Sequence, residues 1–269
     1  MSEGLYSRQS TLSLLNYEYA IVIGLGGIGN WVALDLALSG QVRNLLLIDP
    51  DTVEEHNLNR TIFKYSDIGQ YKVDAVKFQI LERRSNCYIE TYKELATPEL
   101  MAKLADKVIL DKSVYDHKCL IMDCRDDIYD DLLDFNCKVY KVGYDGTSMS
   151  IDGNPRLTKV FTQRGGSYSV VPSYIGSSQM VAVMAVNDAF GAGIVSPSYE
   201  DIEKIDIAEN PFLRSFVNDS GRDEMGRLNC SIRFDCSDVF EKCSGGLVKP
   251  YDKNEVIKVL NQEVEDEKE

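Results

Sequence analysis

The first residues that could do chemistry are the glycines at positions 24, 26 and 29, which form the pattern GxGxxG. Glycine at these positions allows a tight turn, a close approach of the backbone to a phosphate, and close packing of a helix on a strand. Asp49 lies twenty residues after the last of them, at the end of the next apolar run, where a carboxylate can accept hydrogen bonds from ribose hydroxyls. The pattern therefore predicts a nucleotide site, and by itself it fits NAD as well as ATP.

A second polar group follows Asp49 in the chain and contains Asn57, Arg60 and Lys72. A dehydrogenase leaves the pyrophosphate of its cofactor intact and has no evident use for this set. Cleavage of the bond between the α- and β-phosphates builds charge on the phosphoryl oxygens and on the leaving pyrophosphate, so cations must converge there. Arg60 can fork onto two oxygens, Lys72 serves as a point charge, and Asn57 can donate a hydrogen bond without adding charge. The group favours cleavage of ATP.

A magnesium ion on the phosphates needs a hard carboxylate ligand at a strand end. Three aspartates follow the apolar run Leu120–Met122, at positions 123, 126 and 127. We expect Asp126 to bind the ion, with Asp123 and Asp127 as the alternatives.

These side chains need an α/β scaffold to bring them together. A strand, a glycine turn, a helix and a second strand form the first half of a dinucleotide-binding unit. The sequence predicts a Rossmann-like doubly wound sheet, mostly parallel, with antiparallel strands in the C-terminal half. The predicted strands are Tyr19–Ile23, Val42–Ile48, Cys87–Tyr92, Leu120–Met122, Lys138–Val142, Ser148–Ile151 and, more loosely, Arg227–Phe234. The predicted helices are Trp31–Leu38, Val73–Arg84, Pro98–Ala105 with Thr97 as N-cap, Asp127–Phe135, Ile175–Ala192 and Glu255–Val264.

The chain of 269 residues is long enough for one large α/β domain. We expect an ATP-binding adenylation domain over residues 1–193, a C-terminal extension packed on the same domain over residues 194–260, and an acidic disordered tail over residues 261–269.

Charge and composition exclude several classes of function. The net charge of −14 argues against nucleic-acid binding, which needs clustered Lys and Arg. No apolar stretch approaches the roughly 20 residues of a membrane span, and the first residues do not form a signal peptide, so we expect a cytoplasmic protein. Seven cysteines without a CxxC pair indicate free thiols and give no zinc motif.

The order of the motifs resembles the ThiF/MoeB/ubiquitin-activating-enzyme superfamily. The resemblance runs from about Tyr6 to about Gly191, and the NLNR and DIGxxK motifs are the most specific parts of it. The matching segments are Tyr6–Gln9 (YSRQ), Gly24–Gly29 (GLGGIG) with Ala33, Ile48–Val53 (IDPDTV), Asn57–Arg60 (NLNR), Asp67–Lys72 (DIGQYK), Met122–Asp126 (MDCRD) and Val170–Gly191.

The resemblance implies an adenylyltransferase. In such a reaction the C-terminal carboxylate of a small ubiquitin-like protein or peptide with a flexible tail attacks the α-phosphate of ATP with Mg²⁺, and an acyl-adenylate and pyrophosphate form. The implied catalytic residues are Arg60, Lys72, Asp126 as the magnesium ligand, and Arg8, which in this family reaches the site of the neighbouring subunit and so implies a homodimer. The implied nucleotide-binding residues are Gly24, Gly26, Gly27, Gly29, Asp49, Asp51, Asn57, Arg60 and Lys72.

The sequence departs from the family in its cysteines. Many members carry a catalytic cysteine in or after the region that matches Thr158–Ser169, which is short here and contains none. Cys230, Cys236 and Cys243 lie further on without a motif, and Cys124 is expected to be a packing residue. Adenylation without an assured thioester step is therefore the expected activity. The alternatives are an inactive scaffold subunit of a heterodimeric activating enzyme and an NAD-dependent oxidoreductase.

Overall fold

Seven strands and four helices make up the regular structure within the residues that the computed structural model describes, which are 5–9, 12–109, 116–126, 135, 137–144, 148–152, 173–191 and 231–235. The strands are β1 (Tyr17–Ile23), β2 (Val42–Ile48), β3 (Tyr88–Tyr92), β4 (Asp116–Asp123), β5 (Cys137–Tyr144), β6 (Ser148–Asp152) and β7 (Ser231–Asp235). The helices are α1 (Gly29–Leu38), α2 (Lys72–Leu81), α3 (Pro98–Val108) and α4 (Ile175–Ala189), and short 3-10 turns occupy Ser7–Gln9, Glu55–Asn57 and Tyr65–Asp67.

The strands form one sheet in the order β3-β2-β1-β4-β5-β6-β7. The pairs from β3 across to β5 are parallel, whereas β6 runs antiparallel to β5 and β7 runs antiparallel to β6. The predicted Rossmann-like α/β sheet is therefore confirmed for the five parallel strands. The chain leaves β1 towards β2 on one side and returns to β4 on the other, so the strand order reverses beside β1. Ligands of such sheets bind at the carboxyl ends of the strands next to this reversal.

Helices cover both faces of the sheet, which explains why its central strands are apolar on both faces. Ala20 and Val22 of β1 point to the face covered by α1, α2 and α4. Ile21 and Ile23 point to the opposite face, which α3 covers through Leu100, Met101, Leu104 and Val108. The two hydrophobic layers fix the position of the strand ends and hence of the polar residues that follow them.

Most predicted elements are found within a few residues of their expected bounds. Helix α2 ends at Leu81 rather than at Arg84, because Arg84 turns back and donates hydrogen bonds to the carbonyl oxygens of Ala37 at 2.5 Å and Val42 at 3.3 Å. Helix α3 begins as predicted, with the Thr97 hydroxyl accepting a hydrogen bond from the backbone N–H of Leu100.

The other differences lie at the ends of elements. Helix α3 continues to Val108, since that side chain is buried in the core. Helix α4 ends at Ala189, and Gly191 follows with a φ of +75°. The predicted helices over residues 127–135 and 255–264, the segment 158–169 and the start of the predicted strand at residue 227 lie outside the described residues, except for Phe135. The division into residues 1–193, 194–260 and 261–269 stays a prediction.

None of the helices in the described ranges is both long enough and apolar enough to span a bilayer.

We expect Gly29→Ala to destabilise the fold. The added Cβ would overlap the carbonyl oxygen of Gly24 and lie 3.3 Å from the Cβ of Cys124. Because backbone atoms cannot yield as the end of a side chain can, we expect a loss of about 3 kcal/mol in the free energy of unfolding, measured by urea denaturation.

The matched control is Gly26→Ala, where the added Cβ meets no atom within 4 Å. We expect its free energy of unfolding to stay within about 0.5 kcal/mol of the wild type. Equal losses in the two variants would contradict this account of the turn between β1 and α1.

Candidate functional site

The glycine turn joins β1 to α1 at the carboxyl edge of the sheet. Gly24 has a φ of +81°, and its N–H donates to the carbonyl oxygen of Ile48 at 2.9 Å. A Cβ on Gly24 would lie 3.1 Å from the carbonyl oxygen of Cys124, so the turn is wedged between β2 and β4. The backbone at Gly26 instead borders open space. The turn therefore offers an anion a bare stretch of backbone at the amino end of α1, where helix N–H groups lack partners.

Asp49 links this turn to the segment after β2. It is 4% exposed, and its Oδ2 accepts a hydrogen bond from the N–H of Leu25 at 2.6 Å. Its Oδ1 accepts one from the N–H of Asp51 at 2.8 Å. Burial raises the pKa of Asp49, while the nearby Lys72 and the two N–H donors act in the opposite direction. Each carboxylate oxygen retains a lone pair for a further donor.

Lys72 opens α2 and lies against the same strand end. Its ammonium is 2.7 Å from Oδ2 of Asp51 and 3.9 Å from Oδ1 of Asp49. The Lys72 side chain is 11% exposed, whereas that of Asp51 is 62% exposed. The structure therefore brings three of the predicted residues, Asp49, Asp51 and Lys72, into one charged cluster beside the glycine turn.

Asn57 is the last residue of the Glu55–Asn57 turn, and Arg60 lies on the loop that follows it. The Oδ1 of Asn57 accepts a hydrogen bond from the N–H of Glu54 at 3.0 Å and so fixes that turn. One terminal nitrogen of Arg60 donates to the carbonyl oxygen of His56 and to Oδ1 of Asn59. The Nε of Arg60 is buried and has no hydrogen-bond partner among the residues that the structure describes. A buried guanidinium N–H without a partner is costly, and an acceptor such as a phosphate oxygen would satisfy it.

The aspartates after β4 differ in their surroundings. Asp123 is 2% exposed. Arg125 donates hydrogen bonds to both oxygens of its carboxylate, from Nε to Oδ1 at 2.8 Å and from Nη2 to Oδ2 at 2.9 Å. The ammonium of Lys141 lies 3.5 Å from the same carboxylate. Asp126 is exposed, and residue 127 lies outside the described residues. No cluster of three or more His, Cys, Asp or Glu suited to a metal occurs within the described ranges.

Arg8 is the one predicted site residue that the fold does not bring to the others. It is exposed on the Ser7–Gln9 turn, where Gln9 donates to the carbonyl oxygen of Ser39 at 2.6 Å. The ring of Tyr6 lies against Gly40, and a Cβ added to Gly40 would come within 2.6 Å of that ring. Ser39 and Gly40 follow the carboxyl end of α1, whereas the glycine turn precedes its amino end. A helix of ten residues separates these two ends by roughly 15 Å.

The four cysteines within the described residues are free and buried, at positions 87, 119, 124 and 137. Burial raises the pKa of the Cys124 thiol far above its ordinary value, so this thiol is not a nucleophile. Its Cβ lies against Gly29, in agreement with the predicted packing role. Cys230, Cys236 and Cys243 lie outside the described residues.

Sequence reasoning missed several residues that shape the site. Arg125 and Lys141 neutralise Asp123, and the amide of Asn30 contacts the glycine turn. An isolated amide directly after the GxGxxG pattern, at the start of an otherwise apolar helix, was the available signal for Asn30. The contact of Lys141 depends on the pairing of β5 with β4, which one sequence does not show, whereas Arg125 lies only two residues from Asp123 and carries no motif of its own.

Comparison with known proteins identifies the part of the chain that carries this site. The family model that matches is the ThiF family, over residues 5–133. The chain is 35% identical over 96 residues to the tRNA threonylcarbamoyladenosine dehydratase of Bacillus subtilis, a match that covers 35% of this chain and 37% of the relative. It is 43% identical over 75 residues to the NEDD8-activating enzyme E1 catalytic subunit of Arabidopsis thaliana, which covers 28% of this chain and 16% of the relative.

The chain thus spans well under half the length of these curated relatives. Among solved structures, Escherichia coli tRNA N6-threonylcarbamoyladenosine dehydratase, TcdA, in complex with AMP, matches with a TM-score of 0.50. That match has 16% identity and covers 65% of this chain and 85% of the other, and at this identity it shows the fold alone. The glycine turn, the Arg60 loop, Lys72 and Asp126 all lie inside the matched segment, and residues 5–133 of this chain are a ThiF family domain.

Proposed function

We propose that this protein binds ATP with Mg²⁺ and uses it to adenylate a carboxylate, with release of pyrophosphate. The observation that carries the proposal is the buried Nε of Arg60, which lacks an acceptor within the described residues, together with the open space beside the glycine turn. A triphosphate lying along the turn would supply this acceptor and occupy this space.

The roles of the remaining residues follow from their surroundings. Asp49 lies beyond the turn with free lone pairs, as required to accept hydrogen bonds from ribose hydroxyls. Lys72 has three N–H donors, and Asp51 takes one of them, so the lysine can also hold a phosphate oxygen. With Arg60 and Asn57 it would stabilise the charge that builds as the bond between the α- and β-phosphates breaks.

Asp126 is our proposed magnesium ligand. Asp123 is already bound by Arg125 and lies near Lys141, and these cations make it a poor ligand for a further cation. Asp126 is exposed and lies three residues beyond the end of β4, directly after Cys124 and Arg125, whose backbone lies beside Gly24 of the glycine turn. Bound there, magnesium would neutralise the phosphate oxygens, which provide the further ligands that the described part of the chain lacks.

The proposed substrate is the C-terminal carboxylate of a small ubiquitin-like protein or peptide with a flexible tail. The Arabidopsis relative is named for the activation of NEDD8, which supports a polypeptide. The Bacillus subtilis relative is named for a modified nucleoside of tRNA, so a substrate on tRNA is the second candidate. A net charge of −14 favours the polypeptide, because an acidic protein repels the phosphates of RNA.

The acyl group has no thiol acceptor among the described cysteines, since all four are buried. We therefore propose adenylation as the reaction of this domain and leave a thioester step to Cys230, Cys236 or Cys243, if one follows.

We also propose that the active form is a homodimer in which Arg8 acts at the site of the other subunit. The Ser7–Gln9 turn is held at the opposite end of α1 from the glycine turn, through Gln9 and Tyr6. An arginine side chain cannot span that separation within one chain, so Arg8 can take part in the reaction only in another copy.

We expect Arg60→Ala and Asp126→Ala each to lower the exchange of pyrophosphate into ATP at least about 100-fold, because each removes a charge that stabilises the transition state. The assay contains a panel of polypeptides that end in flexible, glycine-containing tails. The melting temperature should change by no more than about 2 °C, since both side chains lie in loops.

The control for these variants is Arg43→Ala, whose exposed guanidinium pairs with Glu18 at 3.2 Å near the start of β2 and should leave exchange unchanged. ATP binding without exchange across the whole panel would instead favour the scaffold alternative. Binding of NADH in place of ATP would favour the oxidoreductase.

We expect Gly26→Ala to weaken the binding of ATP at least about 10-fold, because the added methyl group would occupy the space that the phosphates need. Isothermal titration calorimetry with Mg-ATP measures the loss. Unchanged affinity in this variant would show that the phosphates lie elsewhere.

We expect a mixture of Arg8→Ala and Arg60→Ala protomers to regain exchange that neither variant has alone. Each mixed dimer contains one site with both arginines, so random pairing restores about a quarter of the wild-type activity. If the mixture stays as inactive as its components, Arg8 does not act across a dimer.

A further inference from the structure

The side chain of Asn30 connects two segments that the proposed reaction uses. Asn30 is the second residue of α1 and is fully buried. Its Nδ2 donates hydrogen bonds to the carbonyl oxygens of Gly26 and Gly27, the latter at 3.1 Å. Its Oδ1 accepts a hydrogen bond from the N–H of Ile62 at 2.9 Å. One amide therefore joins the phosphate-binding turn to the loop that carries Arg60.

This connection needs both a donor and an acceptor on one short side chain. An asparagine amide has two N–H donors and a carbonyl oxygen, whereas an ionised aspartate only accepts and an alanine does neither. The amide is buried, so loss of either half leaves backbone groups of the turn or of the loop without partners, at about 1–3 kcal/mol for each group. The chemistry at this position is therefore specific to asparagine.

A second contact ties the same loop to α1. The indole Nε1 of Trp31 donates to the carbonyl oxygen of Arg60 at 2.9 Å. The hydroxyl of Ser178, in the first turn of α4, lies 3.3 Å from the same oxygen. The backbone of Arg60 is thus held from two helices, and the guanidinium can vary its position only through its own side-chain torsions.

We propose that Asn30 is a positioning residue that sets the distance between the phosphate-binding turn and the guanidinium of Arg60. This inference rests on the proposed adenylation of a carboxylate by ATP. Within the described residues, the amide of Asn30 forms its hydrogen bonds with backbone groups, and we place its effect on the reaction in its hold on the Arg60 loop. Trp31 holds the same loop at the carbonyl of Arg60 and so supports the same placement.

The effect on the reaction follows from the geometry that phosphoryl chemistry demands. A cation that meets the leaving pyrophosphate must be placed before the bond breaks, and a displacement of about 1 Å in a reactive group can lower a rate about 100-fold. Loss of the Asn30 amide removes the bridge between the glycine turn and the Arg60 loop. Every residue that we propose to bind phosphate remains in the protein. We therefore expect a fall in kcat that is much larger than the change in KM for ATP.

The test is a double-mutant cycle with Asn30→Ala and Arg60→Ala. We expect Asn30→Ala to lower the kcat of pyrophosphate exchange about 30-fold and to change the KM for ATP less than about 3-fold. In the Arg60→Ala background the same replacement should cause less than about a 3-fold further loss, because its effect passes through Arg60. The Kd for Mg-ATP, measured by calorimetry, should change less than about 3-fold on Asn30→Ala in either background.

Two further variants separate positioning from folding. Trp31→Phe keeps an aromatic ring and removes the N–H that donates to the carbonyl oxygen of Arg60. It should lower kcat for the same reason, and it tests the proposal even if Asn30→Ala fails to fold. Asn44→Ala is the matched control, because it removes another amide that bridges two segments. The Asn44 side chain donates to the carbonyl oxygen of Glu18 at 2.9 Å, near the amino ends of β1 and β2. This variant should leave exchange unchanged.

Independent losses from Asn30→Ala and Arg60→Ala, or an unchanged kcat in folded Asn30→Ala and Trp31→Phe, would overturn the proposal. If the wild type binds ATP but shows no exchange, the proposed function fails and the Asn30 proposal, which rests on it, fails with it. Exchange by the wild type with an unchanged kcat in the folded variants overturns the Asn30 proposal alone. If the wild type does not bind ATP, both proposals are overturned.

Discussion

The site depends on one close contact, the approach of Gly29 to the carbonyl oxygen of Gly24, which leaves no room for a side chain. This contact places the first turn of α1 directly against the end of β1. From that turn Asn30 reaches the Arg60 loop and Trp31 holds its backbone, while the N–H of Leu25 binds Asp49. The backbone proposed to bind phosphate, the carboxylate proposed to bind ribose and the arginine loop are therefore all located by the same backbone approach.

The buried charges around this turn are paired in a way that leaves defined groups for a ligand. Lys72 is matched by Asp51 and lies near Asp49, and Asp123 is matched by Arg125 with Lys141 close by. Among the predicted site residues, Arg60 is the one with a buried side-chain atom, Nε, that lacks a partner within the described residues. Under the proposed function, a phosphate oxygen of ATP would be the acceptor of this N–H, and its interaction with the guanidinium would strengthen as negative charge builds on the leaving pyrophosphate.

Much of the scaffold could be predicted from sequence because its determinants are local. The apolar runs before Gly24 and Asp49 are strands, and the N-cap of Thr97 formed as its sequence indicates. The residues named from the sequence include Asp49, Asp51 and Lys72, which the structure brings into one charged cluster. Three features could not be predicted because they depend on packing: the clamp of Arg125 on Asp123, the bridge made by Asn30, and the distance of Arg8 from the turn in its own chain. Residues such as Asn30, which position a site by bonding to its backbone, were harder to predict than the proposed ligand-binding residues. Side chains that bind backbone do not belong to a recognisable sequence motif.

The most direct test of the central claim asks which bond of ATP is broken. ATP labelled with ¹⁸O in the bridge between the α- and β-phosphorus atoms is incubated with Mg²⁺, the protein and a polypeptide that ends in a flexible tail, and is then examined by ³¹P nuclear magnetic resonance. Reversible adenylation frees the pyrophosphate to rotate, so the account predicts that the label moves from the bridge to non-bridging oxygens of the β-phosphate when the polypeptide is present. Formation of ADP and phosphate, or bound ATP whose label never moves with any carboxylate partner, would contradict it.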